Sequence, residues 1–287
     1  MNKTYLWSVV CAYLIFFQTS VSAEPYVYAY TGNNYDTFAN SLIFDTSMSI
    51  SGHFEMTKPL DANLNMASID PTSYSFTNGV ATFTETTSTI GSTGILVSTD
   101  GTGRIIDWSF IMYEGNPDAL VKGDTLYSIS TAPYSDITRF SEFLGTTIDG
   151  YKLFGIRAEA RSTIIPGTWK IYNIRTIDIT SNNNSDNAIK FMQEKYIKVA
   201  ILGDEGFDAL QVDVGTVKFG PTGVEASPVR TKVDDYNSDG YADMIFTFKV
   251  ADTGIGCEDT EAVLTGTTYT DPTVTIKGIG NLTITCQ

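Results

Sequence analysis

The stretch Tyr74-Ser75-Phe76-Thr77-Asn78-Gly79-Val80-Ala81-Thr82-Phe83-Thr84 alternates aromatic and hydroxyl side chains on either side of an Asn-Gly pair. A period of two places the aromatics on one face of a strand and the hydroxyls on the other. Asn-Gly tolerates the positive φ angles of a tight hairpin turn. The stretch therefore reads as a half-buried β-hairpin.

The same alternation extends outward. Tyr26-Val27-Tyr28-Ala29-Tyr30 and residues 48–54 precede the hairpin, and residues 95–98 and 105–113 follow it around the turn Asp100-Gly101-Thr102-Gly103. Trp108, Phe110 and Met112 alternate along the second of these. Residues 151–156 and 169–174 read as two more strands, and residues 138–143 as a short helix. The polar run Ser181 to Asn187 has no hydrophobic period and reads as a linker. Beyond it, strands are expected over residues 196–202, 212–219, 229–233, 241–250, 262–264, 273–276 and 282–286. Seven strands in about 100 residues is the size of an immunoglobulin-like sandwich. The expectation is an all-β chain of two β-sandwich domains in tandem: a signal peptide over 1–23, a first sandwich over 24–180, a polar linker over 181–189 and an immunoglobulin-like sandwich over 190–287.

Composition limits the function classes. The 287 residues hold 33 Asp and Glu against 18 Lys and Arg, a formal charge of −15. Such a chain repels phosphate backbones, so nucleic acid is not expected as a partner. Lys3, the apolar run 6–17 and the small residues of Val21-Ser22-Ala23 form a secretory signal with cleavage after Ala23. The run is shorter than the roughly 20 residues that span a bilayer. The expected location is secreted, extracellular or periplasmic, with no transmembrane anchor after cleavage.

In an oxidising compartment Cys257 and Cys286 are expected to pair; the alternative is two buried free thiols. The segment Asp235-Tyr236-Asn237-Ser238-Asp239-Gly240-Tyr241-Ala242-Asp243 carries oxygen ligands at positions 1, 3 and 5 and a Gly at 6. Hard cations take such oxygens. Asp235, Asn237, Asp239, the Tyr241 carbonyl and Asp243 are the expected ligands of a structural Ca2+. Position 12 is Phe246 rather than Glu, and strands flank the loop, so it is not an EF-hand. A metal-free turn with solvated carboxylates is the alternative.

Other constellations carry less. His53 is the only histidine and sits on an alternating strand. Acids such as Glu159 and Glu194 lack a distinctive signature, and residues 215–223 form a turn-rich stretch rather than a phosphate cradle. No catalytic residue is assigned.

Two resemblances add to this reading. Val199-Ala200-Ile201-Leu202, Phe207-Asp208-Ala209, Thr216 to Gly223, the Asp235–Asp243 loop and Thr253 to Gly266 with Cys286 resemble, in order and spacing, a recurrent C-terminal domain of secreted bacterial proteins of unknown function. That resemblance implies a calcium-type loop and a disulfide. Tyr30-Thr31-Gly32-Asn33, Ser51-Gly52-His53-Phe54, residues 73–79 and Pro166-Gly167-Thr168-Trp169 are similar to the β-rich region of exported bacterial PEP-CTERM-type proteins. The sorting tail of that family is not seen before Gln287, so tail-based anchoring is not expected. The functional expectation is a non-catalytic secreted or surface-associated bacterial protein, structural or interacting, whose partners are extracellular polysaccharide or surface proteins. A carbohydrate-binding module pair and a carboxylate-dependent glycoside hydrolase are the alternatives.

Overall fold

The computed structural model describes residues 25–40, 42–163, 167–181, 188–190 and 193–286. The expected signal peptide and most of the expected linker lie outside these residues. The described chain is all-β, with three short 3-10 turns as its only helical elements. Among the described residues no helix is long and apolar enough to cross a membrane.

The first half contributes β1 (Tyr26–Thr31), β2 (Thr37–Ala39), β3 (Ser51–Met56), β4 (Ala67–Ile69), β5 (Ser73–Thr77), β6 (Thr82–Thr84) and β7 (Ser88–Ile90). It continues with β8 (Ile95–Thr99), β9 (Ile105–Glu114), β10 (Thr125–Ala132), β11 (Ser135–Thr146), β12 (Lys152–Ser162) and β13 (Thr168–Ile174). One sheet runs β13-β1-β3-β5-β6; the other runs β2-β12-β11-β10-β9-β8-β4, with β7 on β9. Their inward aromatics meet in tilted and edge-to-face pairs. Phe76 packs on Phe110 at 4.9 Å between ring centroids, and Trp108 packs on Tyr30 at 5.6 Å and on Trp169 at 6.0 Å. The opening hairpin is β5–β6, and its Asn78 is fully buried. The Asn78 side chain accepts the Val80 and Ala81 N–H groups at 2.9 and 2.7 Å, which locks the turn.

The second half contributes β14 (Ile177–Ser181), β15 (Ala188–Lys190), β16 (Tyr196–Ile201), β17 (Lys218–Gly220) and β18 (Arg230–Asp234). It ends with β19 (Asp243–Lys249), β20 (Glu261–Gly266), β21 (Thr275–Asn281) and β22 (Thr283–Thr285). The sheet β14-β16-β19-β18 packs on β17-β20-β21, and β15 pairs in parallel with β22. Phe219 and Phe248, from opposite sheets, meet at 5.0 Å. Strand β21 also pairs in parallel with β13 through Tyr172↔Thr275, Asn173↔Ile276 and Ile174↔Lys277. One eight-stranded sheet, β17-β20-β21-β13-β1-β3-β5-β6, therefore passes from one half into the other.

Several expectations change. Residues 138–143 are not helical but lie within β11. Phe140 and Phe143 are three apart, which mimics helical spacing, because a register shift between Phe140 and Ser141 breaks the period of two. Residues 212–219 are not one strand. Asp208 and Asp213 each accept a backbone N–H two residues on, at 3.0 Å, and curl the chain into 3-10 turns over Ala209–Gln211 and Val214–Thr216 before the short β17. Residues 177–180, inside the expected first-sandwich span but not expected as a strand, form most of β14, and Ile177 and Ile179 join the second core. Ala188 and Ile189, expected as linker, lie in β15.

Candidate functional site

Asp235 to Asp243 connects β18 and β19, which pair antiparallel through Asp234↔Asp243. Ser238 and Gly240 turn the chain with φ of 61° and 93°. Glycine adopts that conformation without steric cost, while Ser238 adopts it under strain. The curl directs side-chain oxygens onto the loop's own N–H groups. Asp235 Oδ1 accepts Asp239 N–H at 3.0 Å and Asp235 Oδ2 accepts Gly240 N–H at 3.1 Å. Asn237 Oδ1 accepts Asp239 N–H at 3.2 Å, and Asp239 Oδ1 accepts Tyr241 N–H at 2.9 Å. Asp239 Oδ2 accepts the Asn237 amide at 2.7 Å.

The structure thus brings Asp235, Asn237 and Asp239 together. It gives Asp243 a different position, fully buried at the loop's base, where Oδ1 accepts Gly203 N–H at 2.8 Å and Oδ2 accepts Tyr236 N–H at 2.7 Å. Gly203 is needed there: a Cβ would run into the Ala242 carbonyl. Asp243 therefore clamps the loop to the β16 end of the sheet, a role that its expected place among the Ca2+ ligands did not contain. Burial raises the Tyr236 phenol above its usual range, with a Thr180 hydrogen bond opposing the shift and Asp178 adding to it. Among the described residues no three His, Cys, Asp or Glu side chains converge as a ligand set. The convergent groups are two carboxylates and one amide. All three side chains can offer oxygens, the donor chemistry a hard cation takes, and a cation between Asp235 and Asp239 would offset their mutual repulsion.

The disulfide is formed. Cys257 and Cys286 are joined with their Cα atoms 6.0 Å apart, which ties the turn after β19 to the end of β22.

Two of the cavities that lie where the halves meet share Gly206 in their walls. One, of about 230 Å³, is lined by Tyr26, Tyr28, Asn173, Phe207, Gln211 and Asp271, among others. The other, of about 580 Å³, is bounded by Lys58, Arg175, Asp204, Asp239 and Tyr241, so two residues of the loop form part of its wall. Arg175 is buried, donates to Asp204 at 3.0 Å and stacks 4.0 Å over Phe207. The sequence reading missed these residues. Their only signal was a cation in an apolar run, and the pairing partners lie about 30 residues away.

Other acids are occupied. Burial pushes the Glu159 carboxyl upward, but Arg161 and Arg139, each at 2.6 Å, hold it below its usual range. Glu194 is buried beside β15 in the other half and accepts Lys190 N–H at 3.3 Å. Asp136 is 3% exposed and its two carboxylate oxygens share the single proton of Tyr30 Oη, at 2.8 and 2.9 Å; burial raises its pKa from 3.8 to about 6. His53 stands on β3 opposite Ala29 and Ser75.

Comparison with known protein families, with curated proteins and with solved structures found no match. The function is therefore argued from the chain's own chemistry.

Proposed function

We propose that this chain is a secreted or surface-associated, non-catalytic bacterial interaction protein whose second half is an immunoglobulin-like sandwich carrying a structural Ca2+. The observation that carries the proposal is the continuous sheet through β13 and β21, which supports a rigid two-part platform with its loops free to engage a partner. The order β14-β16-β19-β18 over β17-β20-β21 supports the immunoglobulin-like reading, because it repeats the A-B-E-D over C-F-G order of a constant-type domain. The formed disulfide supports an oxidising compartment, and so the export expected from residues 1–23. The all-oxygen loop supports calcium, with Asp235, Asn237 and Asp239 as ligands; the Tyr241 carbonyl and a remaining lone pair of Asp243 are the expected additions.

A carbohydrate-binding function is the second reading, favoured by the cavity in which Tyr26 and Tyr28 stand beside the Asn173 and Gln211 amides. The test of the main reading is mass spectrometry of protein recovered from outside the cells that make it. Mature protein beginning at Glu24, with both cysteines resistant to alkylation until reduced, is the expected result. Unprocessed chain confined to the cytoplasm with two titratable thiols would refute it.

A further inference from the structure

We propose that the groove where β13 and β21 diverge binds an acidic saccharide of the uronate class. The proposal rests on the interaction-protein reading and names a ligand for it. The groove encloses about 480 Å³, within the range that holds a small ligand. Arg104, Lys170 and Lys277 line it, and no carboxylate does. In a chain with nearly twice as many acids as bases, a lining with cations alone runs against composition. Among the described residues none of the three is ion-paired to a carboxylate. Asp100 is engaged by the Thr102 hydroxyl and by the N–H groups of Thr102 and Arg104, and it also feels the Arg104 charge, so Arg104 is partly compensated while Lys170 and Lys277 are not ion-paired among the described residues. Three like charges around one cleft repel one another, and a bound carboxylate reverses that cost.

The rest of the lining suits a sugar rather than a bare anion. Thr222 and Thr273 donate their hydroxyl protons to the Glu225 and Asp271 carboxylates behind the wall, and Thr265 to the Gly223 carbonyl, which leaves oxygen lone pairs to accept from sugar hydroxyls. Tyr172 lines the same groove, with Lys277 Nζ over its ring at 5.6 Å from the centroid. A nucleic acid carries a dense run of phosphates toward a protein of charge −15, whereas a uronate chain carries one carboxylate per ring. The three cations come from both halves: Arg104 from the turn before β9, Lys170 from β13 and Lys277 from β21. The groove therefore exists only while the halves share their sheet.

The experiment is calorimetric titration of the full chain with trigalacturonate, maltotriose and a short oligothymidylate. The expected result is binding of trigalacturonate that weakens as salt rises, with maltotriose at least tenfold weaker. Lys170→Glu with Lys277→Glu is expected to abolish binding, and Lys170→Gln with Lys277→Gln to weaken it at least tenfold with an unchanged melting profile. Equal binding by the Gln variant, tighter binding of oligothymidylate, or no binding at low salt would overturn the assignment. The last result would leave the interaction-protein reading standing. Cleavage of bound trigalacturonate, read by chromatography of the mixture, would uphold the groove and overturn the non-catalytic reading.

Discussion

The hydrophobic cluster of the first half is rich in Tyr, Phe and Trp, whereas that of the second consists of Ile, Val, Leu, Met, Phe and Ala, with buried polar groups such as Asp243 and Arg175 beside it. In the first, Trp108 donates to Thr131 at 2.9 Å, Asn78 to Thr138 at 2.8 Å, and Tyr30 to Asp136. Each aromatic fills a large volume but brings a polar atom that must find a partner. The second core has its polar bonds at its margins, where Arg175 meets Asp204 and Asp243 clamps the 235–243 loop, and the disulfide ties a further edge. One half gains its order from interior geometry, the other from cross-links around a plainer interior.

This contrast can be broken or sharpened by substitution. Phe110→Ala removes a fully buried ring between the sheets and is expected to cost about 3–5 kcal/mol. Hydrogen exchange should show the loss in β5, β9 and β10 ahead of β16 and β19; uniform loss would mean that the two cores unfold as one. Cys257→Ser with Cys286→Ser is expected to cost about 3–4 kcal/mol, since the bond closes a loop of 29 residues. Here the exchange pattern should invert, with β20 and β22 losing protection first.

A smaller effect separates the halves by pH. The folded-state pKa of Asp136 is raised to about 6, so its contribution is full below its ordinary 3.8 and is lost as pH rises through 6. Asp136→Asn should therefore gain on the natural chain as pH increases from 4 to 7, by roughly 3 kcal/mol at most. Parallel denaturation curves of the two proteins across that range would contradict the buried-carboxylate account. The smallest change is Asp213→Ala, which removes the bond to Gly215 N–H and should cost about 1 kcal/mol, read as a lower denaturant midpoint with unchanged slope.

The β5–β6 hairpin was legible because turn chemistry and alternation agree at Asn78-Gly79. The β8–β9 pair was legible for the same reason around Asp100-Gly101. Strand β10 was not, because its buried positions Leu126, Ile129 and Thr131 are unevenly spaced. The bulge hid β11, and the Asp208 and Asp213 caps disguised residues 212–219. The loop's ligand types were visible in its spacing, but the burial of Asp243 was not: its partner Gly203 is 40 residues away. The β13–β21 seam joins segments about 100 residues apart, and neither strand carries a local mark of that pairing.

The cross-link account of the second half is tested most directly by calorimetric melting of the full chain in calcium and in chelator, alongside Asp235→Ala with Asp239→Ala. A transition raised by calcium, by about 2.7 kcal/mol at a hundredfold excess over the dissociation constant, and unmoved in the double variant is the predicted result. Identical melting of the natural chain with and without calcium would contradict it.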